Sequence, residues 1–156
     1  MHAVHPDGTV PLVGDDDGGR LLRLDGRATR DARPTLATGA AMFERGDLRF
    51  LAGDAVEECY WLLGETGARA FAATTPTAPA ERSRGFADGG FYVMRDGWRP
   101  DATSALVDGG PHGALNCGHA HADALALEVS AGGRPVLTDS GTFSYTGTER
   151  DAFRTR

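Results

Sequence analysis

Leu36, Ala40, Phe43, Leu48 and Leu51 recur near a helical period, with good helix formers between them, so the pattern predicts a helix over 35–50. Val56, Tyr60 and Leu63 repeat intervals of three and four and predict a second helix over 54–63, with Gly64 as its stop. Beyond residue 84 the period changes from helical to alternating. GGFYVMRDG, ATSALVDGG, ADALALEVSAGG and RPVLTDSG are four apolar or alternating runs, each closed by a glycine turn, and they predict four strands of an antiparallel sheet. AGGR at 131–134 fits a tight hairpin between the last two. In DALALEVS, Ala124, Ala126, Glu128 and Ser130 alternate with Leu125, Leu127 and Val129, as expected of a strand with one buried face.

Residues 1–30 read as irregular, with turn chemistry in HPDG at 5–8 and a polar loop in GDDDGG at 14–19. The stretch AATTPTAPAERSR, rich in threonine, proline and alanine, separates the helical part from the alternating part and reads as a linker. The predicted organisation is a helical part with connecting loops over 1–72, a linker over 73–84 and a β-domain over 85–156. Four strands running out at FRTR leave an open sheet edge, a liability that whole proteins cover. The expectation is therefore a fragment of a longer chain, cut at both ends.

Composition narrows the function classes. With 156 residues, 40% of them hydrophobic and 24% charged, the chain can bury a core. A net charge of -6 provides no basic stripe to track a phosphate backbone, which argues against a nucleic-acid partner. All 16 basic residues are arginine, whose forked guanidinium suits carboxylates and sulfates, so an anionic substrate is compatible with the count. Cys59 and Cys117 lie far apart and form no CxxC pair, which argues against a disulfide framework or a thiolate zinc finger. No apolar run reaches transmembrane length, and the segment after Met1 lacks the basic and apolar regions of a signal peptide.

The chemistry concentrates in GHAHADALALEVSAGGRPVLTDSGTFSYTG, residues 118–147. In extended chain His119 and His121 would share one face and converge on one point. Folding the hairpin at Gly132 and Gly133 pairs residues whose numbers sum to about 265, which puts Asp139 opposite roughly Ala126 unless a bulge or twist intervenes. Two histidines and a carboxylate make a partial zinc set. The spacing equally allows solvated histidines at a strand end with Asp139 as a turn residue. Asp123 could orient a histidine from behind or cap a backbone group, and His112 in GGPHG reads as a loop histidine. The HxHxD run is also similar to the HxHxDH metal motif of metallo-β-lactamase-type hydrolases, but Ala124 stands where its last histidine belongs.

Taken together, GFYVMRDGW (90–98), LVDGGPHG (106–113), the histidine stretch and ERDAFRTR (149–156) resemble the heparinase II/III-like family of polysaccharide lyases, as does PDGTVPLVGDDDGGRLLRL (6–24). The resemblance implies an α+β multidomain fragment: the C-terminal part of an α/α toroid, followed by the first strands of an antiparallel β-sandwich. It implies cleavage of a uronic-acid-containing polysaccharide, a glycosaminoglycan or alginate, by β-elimination. It makes His121 and Asp139 zinc ligands, with a further ligand outside this sequence, and sets His119 against the substrate. Tyr145 is a weaker candidate for a catalytic or substrate-contacting phenol, with a packed strand-end aromatic as its alternative. The implied location is periplasmic or secreted, and the oligomeric state stays open. The rival from another class is a non-catalytic carbohydrate-binding or structural β-domain in which the histidines only tie down a loop.

Overall fold

Pro34 sits in the first turn of helix α1 (Arg33–Phe43), where its missing N–H has no intrahelical partner to lose. Leu36, Ala37, Ala40 and Ala41 fall on one side of α1 and are buried. In the computed structural model, which describes residues 1–15, 24–113, 120–142, 144–149 and 152, the chain continues through α2 (Gly46–Ala52) and α3 (Glu57–Ala73). It then runs through strands β1 (Arg84–Phe86), β2 (Phe91–Arg95), β3 (Ser104–Asp108), β4 (Leu127–Ala131) and β5 (Arg134–Leu137).

The helix predicted over 35–50 is two helices. Glu44 enters the left-handed region (φ 51°) and its N–H closes α1 on the Ala40 carbonyl, while Arg45 is extended. The chain can restart at once because Gly46 has no side chain: a Cβ there would lie 2.6 Å from the Thr75 carbonyl oxygen. The second predicted helix is also longer than its pattern indicated. Gly64 does leave helical geometry (φ 66°, ψ -163°), yet helix resumes and reaches Ala73, burying Gly67 and Phe71. Val4, Leu36, Ala40, Ala52, Cys59 and Phe71 form the helical core, so the irregular N-terminus contributes to it.

Among the described residues the sheet has five strands rather than four, in the order β1-β2-β3-β4-β5, every pair antiparallel. The extra strand, β1, is a three-residue edge. The β4–β5 hairpin turns at Gly132 (φ 58°) and Gly133 (φ 78°), a pair of positive φ values suited to a two-residue hairpin turn. Ala131↔Arg134 and Ser130↔Pro135 pair as predicted, and a bulge between Val129 and Ser130 then shifts Val129 onto Leu137.

The buried face of β4 is the polar one. Glu128 and Ser130 are buried while Leu127 is exposed, and register extends this face across Leu106 and Ser104 to Val93 and Arg95. The cover is residues 1–15, an irregular strap whose backbone has few ladder partners and must find them elsewhere. Arg95 Nη1 donates to the His2 carbonyl (3.3 Å) and Nη2 to the Val4 carbonyl (3.0 Å). Glu128 Oε1 accepts the Leu12 N–H at 2.8 Å.

Candidate functional site

His121 does not lie in a strand. Residues 120–126 precede β4 as a folded-back loop, closed by Asp123 N–H to the His121 carbonyl (2.8 Å) and Ala126 N–H to the Asp123 carbonyl (2.9 Å), with Leu125 at φ 62°. His119 and Cys117, and with them the extended run expected of HAH, lie outside the described residues. The fold-back, together with the β4–β5 bulge, brings His121 to Asp139 although Asp139 was expected opposite Ala126. His121 Nε2 is 2.5 Å from Asp139 Oδ1, and the imidazole is wholly buried. In the tautomer that carries its proton on Nε2 the imidazole donates to this carboxylate oxygen. The same oxygen accepts the Gly141 N–H at 2.6 Å, which fixes the carboxylate from its own turn.

Asp123 stands behind this pair. Its Oδ2 accepts the Gly14 N–H at 2.6 Å and lies 3.8 Å from His121 Nδ1; its Oδ1 lies 3.5 Å from Nδ1 of the loop residue His112. It is thus a backbone cap for the strap first, and a carboxylate flanking two histidines second. Thr142 donates its hydroxyl to Asp15 Oδ1 (2.9 Å), which tethers the same end of the strap beyond the histidine loop. Tyr145 sits in the bend at 145–147 and is exposed.

Sequence reasoning missed His5 altogether, because HPDG reads as a turn. His5 Nε2 is 2.8 Å from Glu128 Oε2, and Ser130 Oγ is 2.9 Å from His5 Nδ1. The order serine, histidine, glutamate has the look of a nucleophilic triad, but Ser130 is 0% exposed and Glu128 1%. A nucleophile sealed from solvent attacks nothing; the three side chains hold the strap to the sheet. Burial pushes the Glu128 carboxyl up, but the His5 hydrogen bond, the Leu12 N–H, the His5 charge and the Asp139 N–H outweigh it and leave it below the ordinary range. The available signal was Glu128 itself, an acid in an otherwise apolar strand that needs a partner if its face is buried.

A cavity of about 500 Å³ lined by His5, Arg33, Arg95, Trp98, Arg99 and Gly133 opens at the turn end of the hairpin, away from the His121 loop. It includes none of His121, Asp123 or Asp139.

His121 and Asp139 are chemically fit for zinc: a buried imidazole nitrogen and a carboxylate oxygen converge on one point, and a metal there would take the place of the shared proton. Among the described residues no group of three or more histidine, cysteine, aspartate or glutamate side chains is placed to hold a metal ion. A third donor would come from outside them.

Residues 78–155 match the family described as heparinase II/III-like, C-terminal. The chain belongs to the heparinase II/III-like family. Among curated relatives, a heparin-sulfate lyase from Bacteroides stercoris is 35% identical over 69 residues, covering 44% of this chain and 10% of the relative. A heparin-sulfate lyase from Pedobacter heparinus is 35% identical over 72 residues, covering 46% and 10%. The chain thus spans about a tenth of the length of these curated relatives. Its fold matches a crystal structure of a heparan sulfate lyase from Pedobacter heparinus (TM-score 0.65, 24% identity, 98% of this chain and 20% of that one). It also matches heparinase III (TM-score 0.68, 20% identity, 99% and 23%). Three helices followed by an antiparallel sheet therefore agree with solved heparinase structures. No helix among the described residues is long and apolar enough to cross a membrane.

Proposed function

We propose that this heparinase II/III-like chain is part of a lyase that cleaves a uronic-acid-containing, sulfated polysaccharide by β-elimination, the helices closing a toroid and the sheet opening a β-sandwich. The observation that carries the reading is the buried His121–Asp139 pair, two positions along the sequence from His119, in a family whose relatives are named heparin-sulfate lyases. Elimination removes the proton on C5, builds charge on the adjacent carboxylate and expels the glycosidic oxygen at C4. It demands a base, a group that neutralises the carboxylate and an acid for the leaving oxygen. An imidazole titrates near neutrality and suits either of the first two tasks, which fall to His119; a phenol can serve as the acid, a role for Tyr145.

His121 and Asp139 would hold zinc, which when bound would supply a rigid anchor for the histidine loop. The chain's own residues do the rest: the Gly141 N–H fixes the Asp139 carboxylate, and Asp123, behind His121, is tied to the Gly14 N–H. Because the chain spans a tenth of its relatives' length, turnover is assigned to the complete polypeptide that contains it.

The test is the ultraviolet absorbance of the unsaturated product, since only elimination creates the C4–C5 double bond. The complete polypeptide given heparan sulfate should form it, and His119→Ala should lower the rate by about 10²–10⁴-fold, the usual worth of a positioned acid–base group. Binding of the polysaccharide without unsaturated product would replace the lyase by the non-catalytic reading. Metal analysis that finds no zinc would remove the metal assignment alone.

A further inference from the structure

We propose that Asp123 is a positioning residue for metal at His121, selecting the ring tautomer that leaves Nε2 free to bind; the inference rests on reading His121 and Asp139 as zinc ligands. An imidazole that donates its Nε2 proton to Asp139 cannot at the same time offer that nitrogen's lone pair to a cation. To become a ligand through Nε2, the neutral ring must carry its single proton on Nδ1 instead. That change is costly unless an acceptor waits at Nδ1. The His121 side chain is wholly buried, and its Nδ1 has no hydrogen-bond partner among the described residues.

Asp123 is the acceptor in place. Its Oδ2 lies 3.8 Å from His121 Nδ1, beyond hydrogen-bond length, as suits a nitrogen that carries no proton. With the proton on Nδ1, an approach of about 1 Å would make this a charge-assisted hydrogen bond. The carboxylate is buried and held close to the ring: Oδ2 accepts the Gly14 N–H at 2.6 Å, and the Asp123 N–H donates to the His121 carbonyl at 2.8 Å. On the solvent side its Oδ1 faces His112 Nδ1 at 3.5 Å. The ring thus stands between two carboxylates, one for each nitrogen, and Asp139 is pinned by the Gly141 N–H. A proton on Nε2 serves Asp139 and a proton on Nδ1 serves Asp123. Loading the Nε2 side with a cation leaves the Nδ1 side for the proton.

The test compares Asp123→Asn with Thr142→Val in the complete polypeptide, reading zinc affinity by competition with a fluorescent chelator. Asparagine keeps an oxygen for the Gly14 N–H and offers its amide N–H to Nδ1, which holds the ring proton on Nε2. Zinc should then bind about 10–100-fold more weakly, the usual worth of a group that orients a ligating histidine. Thr142→Val removes the strap's tether to Asp15 and should lower the melting temperature without changing zinc affinity. Nitrogen-15 imidazole shifts of the wild type supply a readout that needs no variant: on zinc loading the His121 proton should pass from Nε2 to Nδ1. Equal zinc affinity in wild type and Asp123→Asn, or an equal loss in Thr142→Val, overturns this role while the zinc reading stands. An Nδ1 that stays unprotonated with zinc bound overturns it as well. A wild type that binds no zinc overturns both, and no arm of the test depends on lyase activity.

Discussion

Asp31 joins the strap to the first helix, and its carboxylate is almost wholly engaged. Oδ1 accepts the Arg33 N–H (3.0 Å) and Arg33 Nε (2.8 Å), Oδ2 accepts Arg33 Nη2 (2.6 Å), and Arg27 Nη1 lies 3.6 Å away. Burial pushes this carboxyl up, but the Arg33 side-chain and backbone hydrogen bonds and the charges of Arg33 and Arg27 prevail, holding it below its ordinary value. A carboxylate depressed in the folded state contributes stability that is fully present above its unfolded value, ~3.9, and is lost as pH falls through the folded one. Asp31→Asn should therefore cost roughly 1.5 kcal/mol near neutrality, the low end for a charge-assisted hydrogen bond because Arg33 is partly solvated. The gap in melting temperature between wild type and variant should hold steady down to about pH 5 and close below it. A gap that stays constant through the acid limb refutes the pairing as its source. None of this was legible beforehand: Asp31 and Arg33 are ordinary loop letters until the helix start places them face to face.

At the scale of elements, glycines announced the turns because they occupy conformations other residues avoid, and two of them separate strain from crowding. Gly90 opens β2 at φ 73°, and an added Cβ would fall 2.1 Å from Gly110 Cα. Gly132, in the β4–β5 turn, has φ 58° but open space around it. Gly132→Ala carries only the left-handed penalty, about 1 kcal/mol. Gly90→Ala adds overpacking against backbone that cannot yield, for a total of roughly 2–5 kcal/mol. Urea midpoints on the two variants check this, and equal losses would mean that the Gly90–Gly110 approach relaxes at little cost. Strand register at the hairpin was legible for the same reason the turn was. The bulge at Val129 and Ser130 was not, nor was the fold-back at Leu125, since both answer to where His121 and Asp139 must meet rather than to local pattern. The alternation expected over DALALEVS is realised as strand only from Leu127, and periodicity cannot say which face a strap with its own backbone needs will cover.

Across the whole molecule the helices and the sheet are joined through that strap more than through each other. Val4 packs in the helical core, while its carbonyl and that of His2 are bound by Arg95, the buried end of β2. The Arg95 guanidinium lies 4.0 Å over the Trp98 ring, and burial lowers its pKa. The helix-then-strand order was legible from the change of period, but this connection was not, because it runs between an irregular segment and an arginine that reads as a solvated strand end. It predicts how the parts unfold. Arg95→Met keeps the apolar stem and removes the donors, leaving two buried carbonyls unsatisfied at about 1–3 kcal/mol each. Beyond lowering the urea midpoint, that loss should uncouple the two halves. Far-ultraviolet circular dichroism, dominated by the helices, and fluorescence of Trp98, on the sheet side, should follow one transition in the wild type and two in the variant, the Trp98 signal moving first. Read-out from Trp61, which lies in α3, is removed beforehand by Trp61→Phe at its exposed position. Coincident transitions with an unchanged midpoint would show that the helices and the sheet hold together without the strap, and the polar face of the sheet would then need another explanation.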